Sequence, residues 1–208
     1  MKRRIAALLN QGENEMLDYK QAITSASKIA KTMSAFANGK GGTLLVGVKD
    51  NRKIAGIKSE DERYMLDLAA QFYCKPPIKL ELFEHQIGDK TIIECVILPG
   101  EEKPYYAKGE DGKWWAHVRV KDQTLLASKI VLDVLKTEAA DEPLVINYTN
   151  HEKALLEYLS ENDRITLKTF KKLVNISHRR AGKIIVKLIR AGVIRSHTTE
   201  KEEYYTLV

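Results

Sequence analysis

Two stretches of this sequence hold side chains of the types and spacing that engage phosphate. The first reads FANGKGGTLLVGVKD from residue 36 to residue 50, with Lys40 set among Gly39, Gly41 and Gly42 and with Asp50 at its end. A phosphate cradle of the G-x-x-x-x-G-K-[ST] type lies between a strand and the helix after it, so that loop amides and a helix N-terminus converge on the anion. Here the order is reversed. A helical pattern comes first, the glycines stop it, and the apolar run TLLVGV follows, which leaves the turn at a helix C-terminus with its carbonyls and partial negative charge. The P-loop and the dinucleotide fingerprint both fail on that order. The glycines are accounted for by a turn in which Gly39 is a left-handed helix stop, while Gly41 and Gly42 let the chain enter a buried strand sharply. Lys40 then reads either as a close phosphate contact or as an ordinary exposed lysine.

The second stretch runs from Arg164 to Arg195. It holds ten basic residues, Arg164, Lys168, Lys171, Lys172, Arg179, Arg180, Lys183, Lys187, Arg190 and Arg195, and no Asp or Glu. Residues 1 to 140 hold 22 basic and 19 acidic side chains, so the net charge of +6 is concentrated rather than spread. A segment of one sign is the footprint of a surface that faces a polyanion, although a solvated basic face or a protein-contacting one has the same composition.

The elements that position these residues divide into two sets. In the first, residues 26–37 have helical spacing with Thr24 or Ser25 as N-cap, and residues 43–48 read as a strand buried on both faces. A helix opened by Ser59 fits 59–73, a hairpin about Gly88 fits 78–98, a strand fits 114–120 and a helix fits Leu125 to Lys136. That mixture predicts an α+β fold. TEAADEPLVINYTN follows, and residues 139–150 are taken as a linker between domains at 1–138 and 151–208.

The second set predicts a winged helix-turn-helix. Ala154, Leu155, Tyr158 and Leu159 share one helical face. Thr166 caps a short second helix, and Ser177 caps a third in which Ala181, Ile184, Ile185, Leu188 and Ile189 form a stripe ended by Gly192. Two strands, Val193 to Ser196 and Tyr204 to Leu207, flank a polar tip. With the stripe buried, the other face of the third helix carries His178, Arg179, Arg180, Lys183 and Lys187 beside Ser177. Arg179 and Arg180 are the candidates for guanine O6 and N7, and Lys168, Lys171, Lys172, Lys187 and Arg195 for phosphates of double-stranded DNA.

Composition narrows the class further. Apolar residues at 44% and charged residues at 30% are globular values. Cys74 and Cys95 lie 21 residues apart without a CxxC, which points to a reducing compartment and away from a structural zinc site. The apolar run IAALL near the N-terminus is too short for a signal core, and nothing approaches a membrane span of roughly 18 residues. A cytoplasmic location is expected.

The strings GENEMLDYK (12–20), AFANGKGGTLLVGVKDNRKIAGI (35–57) and KPYYAKGEDGKWWAHVRV with KDQTLLAS (103–128) resemble the Schlafen AlbA-like family of DNA-binding domains, also called divergent AAA domains. The resemblance spans roughly residues 10 to 130. Lys40 stands where the family has Thr or a gap, and Leu-Asp-Tyr-Lys where it prefers Glu-Phe-Lys. It implies an AlbA-like α/β sandwich, and many bacterial members carry a winged helix and are described as transcriptional regulators. In the nuclease members three carboxylates cut tRNA or rRNA, and by motif position these correspond to Glu13, Asp18 and Asp50, which would hold Mg²⁺ or Mn²⁺. Asp18 is one methylene shorter than the family's Glu. A turn-starting Asp50, an Asp18–Lys20 pair and a solvated Glu13 explain the same residues without chemistry. Arg119 matches the family's arginine at the end of its last strand and is expected on a phosphate or on a carboxylate. Trp114, Trp115, Tyr105 and Tyr106 read as core or interface residues more readily than as base-stacking ones.

The expected protein is therefore a DNA-binding, homodimeric transcriptional regulator without a cofactor. A metal-dependent endoribonuclease acting on RNA is the alternative, and a nucleotide-sensing or protein-interaction module a third.

Overall fold

The run Leu44-Leu45-Val46 is apolar at every position because both of its faces are covered. Leu44 and Val46 pack into one cluster with Met33, Phe36 and Ala37, while Leu45 packs into another with Ile5, Leu17 and Ile92. A strand buried on two sides loses polar/apolar alternation, as the sequence predicts. The structure is a computed structural model that describes residues 2–57, 61–139 and 148–208. It separates into one unit over Met1–Leu126 and a second over Ala127–Val208.

In the first unit the elements are α1 (Lys2–Gln11), β1 (Leu17–Lys20), α2 (Ala26–Asn38), β2 (Gly42–Val46), α3 (Asp61–Phe72), β3 (Cys74–Lys75), β4 (Leu80–Ile87), β5 (Lys90–Ile97), β6 (Tyr106–Lys108), β7 (Trp114–Val120) and β8 (Gln123–Leu126). They build two four-stranded sheets, ordered β1-β2-β5-β4 and β3-β6-β7-β8. β1 and β2 are parallel, in register Asp18 to Leu44 and Lys20 to Val46, and the other pairings are antiparallel. α2 is capped by Ser25 and is buried along nearly its whole length. Its Ala, Ser and Thr positions permit this, since small side chains let strands and α3 approach from several sides. α1 covers the opposite face of the first sheet through Ile5, Leu8 and Leu9.

The second unit contains α4 (Lys129–Ala139), α5 (Asn150–Glu161), α6 (Leu167–Leu173), α7 (His178–Arg190), β9 (Ile194–Thr198) and β10 (Glu203–Leu207). α5, α6 and α7 form the helical triad of a winged helix-turn-helix, and β9 and β10 pair antiparallel as its wing. Thr149, with Glu152, makes a capping box on α5, and Thr166 and Ser177 cap the next two helices. Leu155, Phe170, Ala181, Ile185, Leu188 and Tyr205 form the core, and a bridge between Ile165 and Tyr205 ties the wing to the segment before α6.

Three sequence expectations change. The helix expected from Leu125 starts at Lys129, because Leu125 and Leu126 pair in β8 and Ser128 Oγ accepts from the Val131 amide at 3.1 Å. That helix, α4, belongs to the C-terminal unit, so the division falls after Leu126 and not at 138; its Ile130 and Val134 pack with the α7 cluster. Most of the expected linker, residues 140–147, and the Ser59 cap lie outside the described residues. The left-handed residue of the glycine turn is Gly41 (φ +81°), where a Cβ would strike the Ile97 carbonyl, and not Gly39 (φ −94°). Among the described residues no helix is long and apolar enough to cross a membrane. Both cysteines are reduced and buried, and burial pushes each thiol up to about 12.

Candidate functional site

Of the three carboxylates that the resemblance singles out, Glu13 and Asp18 are neighbours, and Asp50 sits in the turn after β2 whose Arg52 reaches the Asn10 carbonyl. Asp18, on β1, is buried. Its Oδ1 accepts from Arg119 Nη1 of β7 at 3.2 Å, and its Oδ2 lies 2.7 Å from Lys20 Nζ. Glu13 stands beside it in the loop before β1, where its Oε1 accepts from the Tyr19 amide at 2.9 Å. Burial raises the Glu13 pKa above its ordinary value and the neighbouring Asp18 charge adds to this, against the lowering effect of the Tyr19 N–H. Asp50 is exposed, four residues beyond Val46, in a turn closed by the Arg52 amide on the Lys49 carbonyl at 2.8 Å. Among the described residues no three His, Cys, Asp or Glu side chains are grouped to hold a metal ion. Two carboxylates next to Lys20 and Arg119 make a charge-balanced junction, which is a poor match to a trio of anionic ligands.

Arg119 is the residue that closes this junction. Its side chain is 5% exposed, and its guanidinium donates to Thr124 Oγ1 at 3.1 Å and to the Asn14 carbonyl at 2.9 Å and lies 5.3 Å from the centre of the Phe36 ring. Of the two roles open to it, the carboxylate partner is the one seen here, with the side chain buried against Asp18. Lys40 is exposed in the turn between α2 and β2, as a phosphate contact or a solvated lysine requires.

The AFAN segment has a function that sequence reasoning missed. Asn38, at the end of α2, donates through Nδ2 to the Tyr105 carbonyl at 2.8 Å and to the His117 carbonyl at 2.9 Å, and its Oδ1 accepts from the Tyr105 amide at 2.7 Å. One buried amide thus joins α2, the loop before β6, and β7. The signal available in the sequence was a polar residue closing an otherwise apolar and small-residue helix face.

In the C-terminal unit the basic residues are displayed as predicted, with one element in the way. Lys168, Lys171, Lys172, Ser177, His178, Arg179, Arg180, Lys183 and Arg195 are exposed, and Lys187 is half-buried. At 100° per residue, Gly182 and Val186 fall on the side of α7 away from the Ala181, Ile184, Ile185 and Leu188 stripe. α4 occupies that side. Ile130 Cδ1 lies 3.2 Å from where a Cβ on Gly182 would stand, and Val186 is buried. A cavity of about 460 Å³ opens along this seam, lined by Lys129, Ile130, Asp133, Arg179, Lys183 and neighbouring residues. The basic side chains left exposed on α7 are His178, Arg179, Arg180 and Lys183, with Lys187 half-buried beside α4.

Trp114 and Trp115 are not core residues. They sit at the start of β7, 38% and 42% exposed.

A two-sheet α+β domain followed by a winged helix-turn-helix unit with a basic α7 defines a class of two-part proteins with a charged face. Residues 13–128 match the family model described as Schlafen, AlbA_2, and the chain belongs to that family. Residues 151–203 match the PCI domain model. No curated protein matches the chain. Among solved structures, the DIP2311 protein from Corynebacterium diphtheriae is similar at 14% identity and a TM-score of 0.47, over 62% of this chain and 30% of that one. The N-terminal domain of a protein described as related to the ATP-dependent DNA helicase RecG, from Nitrosomonas europaea, is similar at 24% identity and a TM-score of 0.39, over 60% of this chain and 95% of that domain. The chain thus spans less than a third of the length of the Corynebacterium protein. Family membership associates the chain with a nucleic-acid-related role.

Proposed function

We propose that the protein binds duplex DNA through its C-terminal unit and acts, as a cytoplasmic homodimer, in transcriptional regulation. The observation that carries this reading is the acid-free segment from Lys168 to Arg195, whose basic side chains are mostly exposed on α6, α7 and β9. Lys171 and Lys172 lie in the last turn of α6, and Arg179, Arg180 and Lys183 are exposed on α7, so cations from adjacent elements can follow a phosphate backbone. Dimerisation supports affinity because one winged helix covers few contacts. A metal-dependent ribonuclease is the weaker reading, since Asp18 is held by Arg119 and Lys20 and no three carboxylate, imidazole or thiol groups among the described residues are grouped to hold a metal ion.

The test is a salt titration of the full chain on a duplex. With about five phosphates neutralised, log K falls with log salt at a slope of roughly −4 to −5. Lys171→Ala, Lys172→Ala and Arg180→Ala together reduce the magnitude of that slope by about 3. A flat salt dependence, or a triple variant that binds as the parent does, removes the assignment. Metal-dependent cleavage of tRNA that is lost in Asp50→Ala would establish the ribonuclease instead.

A further inference from the structure

The second sheet has one face against α2 and one turned away from it. His117 Nδ1 lies 3.5 Å from Ser34 Oγ, the Arg119 guanidinium lies over Phe36, and the Cys74 thiol is 3.8 Å from the Ala30 carbonyl, which together mark the inner face. Side chains alternate along a strand, so Trp114, Ala116 and Val118 belong to the outer face of β7. The register then places Lys108 opposite Trp114, Tyr106 opposite Ala116, and Lys75 opposite Tyr106. Two aromatic rings therefore lie between two lysines on one sheet surface. None of β3, β6, β7 or β8 contains an Asp or Glu.

Beside the rings is a cavity of about 340 Å³, lined by Lys75, Pro76, Glu102, Pro104, Tyr106 and Trp114. Its walls are flat and mostly apolar, with a lysine and a carboxylate at the rim. A nucleobase is a flat apolar plate with polar edges, joined to a phosphate. Its face meets an aromatic ring, an exocyclic amine can donate to a carboxylate, and its phosphate meets a lysine.

We propose that this outer face is a stacking platform for single-stranded nucleic acid, with bases on Trp114 and Tyr106 and phosphates at Lys75 and Lys108. A duplex keeps its base faces stacked internally and cannot use the rings. A proline-rich peptide could lie on the same aromatic residues, but it offers nothing to the lysines of an acid-free sheet. The site lies in the N-terminal unit and does not depend on the duplex contact proposed for the C-terminal one.

The chain contains two tryptophans, which makes the ring itself the reporter. In the full-length Trp115→Phe variant, Trp114 is the sole indole, and its fluorescence is quenched when a 12-nucleotide oligo(dT) or oligo(U) is added. In Trp114→Phe, Trp115 remains on the other face and does not respond. Trp114→Ala weakens oligonucleotide binding about tenfold, whereas Trp114→Phe, which can still stack, weakens it by less than about threefold. Retention of oligonucleotide binding by Arg180→Ala with Lys183→Ala separates this site from the duplex surface, so either assignment can fail alone. The proposal is overturned if Trp114 is not quenched, if Trp114→Ala binds as the parent does, or if a polyproline peptide quenches Trp114 and displaces the oligonucleotide.

Discussion

Asp18 and Arg119, separated by 101 positions in the chain, meet as an ion pair at 3.2 Å with each side chain only 5% exposed. The pair fastens β1 of the first sheet to β7 of the second, and Lys20 shares the carboxylate from the surface side. Position in the motif names Asp18 and Arg119 separately, yet their pairing gives both a structural role.

Removing one partner strands the other in a low-dielectric site, which typically costs about 3–5 kcal/mol. Arg119→Met should fall near the lower end, about 3 kcal/mol, because Lys20 still faces Asp18. The double variant Asp18→Asn with Arg119→Met should be less destabilised than the sum of its single changes. Urea unfolding of the four proteins measures the coupling, and additive effects would show that the pair is not an energetic unit.

Much of the fold is legible because its signals are local. Thr166, Ser177 and Gly192 mark helix ends by cap chemistry, Gly88 marks a hairpin, and the strand at 114–120 is found at its observed bounds. What stays hidden depends on partners distant in sequence. The α4 helix joins the C-terminal unit because Ile130 meets Gly182, 52 positions later, and no periodicity within α4 reports that. β3 and β6 are two and three residues long, too short to show alternation. The candidate site divides in the same way. The basic residues of α6 and α7 are found from charge alone, whereas the burial of Asp18 against Arg119 depends on how β1 meets β7, 101 residues later.

Asn38 makes the strongest claim on the integrity of the first unit. Asn38→Ala leaves the Tyr105 amide and the Tyr105 and His117 carbonyls without their partner, and should destabilise by about 3 kcal/mol. Asn38→Asp keeps only the acceptor and should be no more stable than the alanine variant. Denaturant midpoints equal to that of the parent would contradict the bridging role.

His117 provides a pH dependence with a defined sign. Its pKa is lowered from 6.5 to about 4, first by burial, then by nearby Lys31, against the raising effect of the Trp115 backbone. Between these values the unfolded chain binds a proton that the folded chain does not, so stability rises with pH. The contribution is complete above pH 6.5 and is lost as pH falls toward 4, with a slope of at most about 1.4 kcal/mol per pH unit. His117→Gln should flatten the stability curve in this window, even if its stability at pH 7.5 is lower. An unchanged slope would assign the acid sensitivity to other groups.

The position of α4 makes a prediction about the duplex contact. α4 lies along α7 on the side away from its core, with Ile130 over Gly182 and Asp133 beside Lys183 at the shared cavity. That side of a recognition helix is the one that faces a groove, so α4 covers Gly182 and Val186 and half-buries Lys187 while leaving Arg179, Arg180 and Lys183 exposed. Ile130→Asp introduces a carboxylate into this apolar seam and should release α4, which hydrogen exchange over residues 129–139 would register as faster amide exchange. Release frees the half-buried Lys187 and removes Asp133 from Lys183, adding one or two phosphate contacts. Duplex affinity should then rise roughly fivefold near physiological salt, and the salt slope should steepen by about 1 to 2. Faster exchange in α4 without any change in affinity or slope would mean that duplex DNA never needs the covered side of α7.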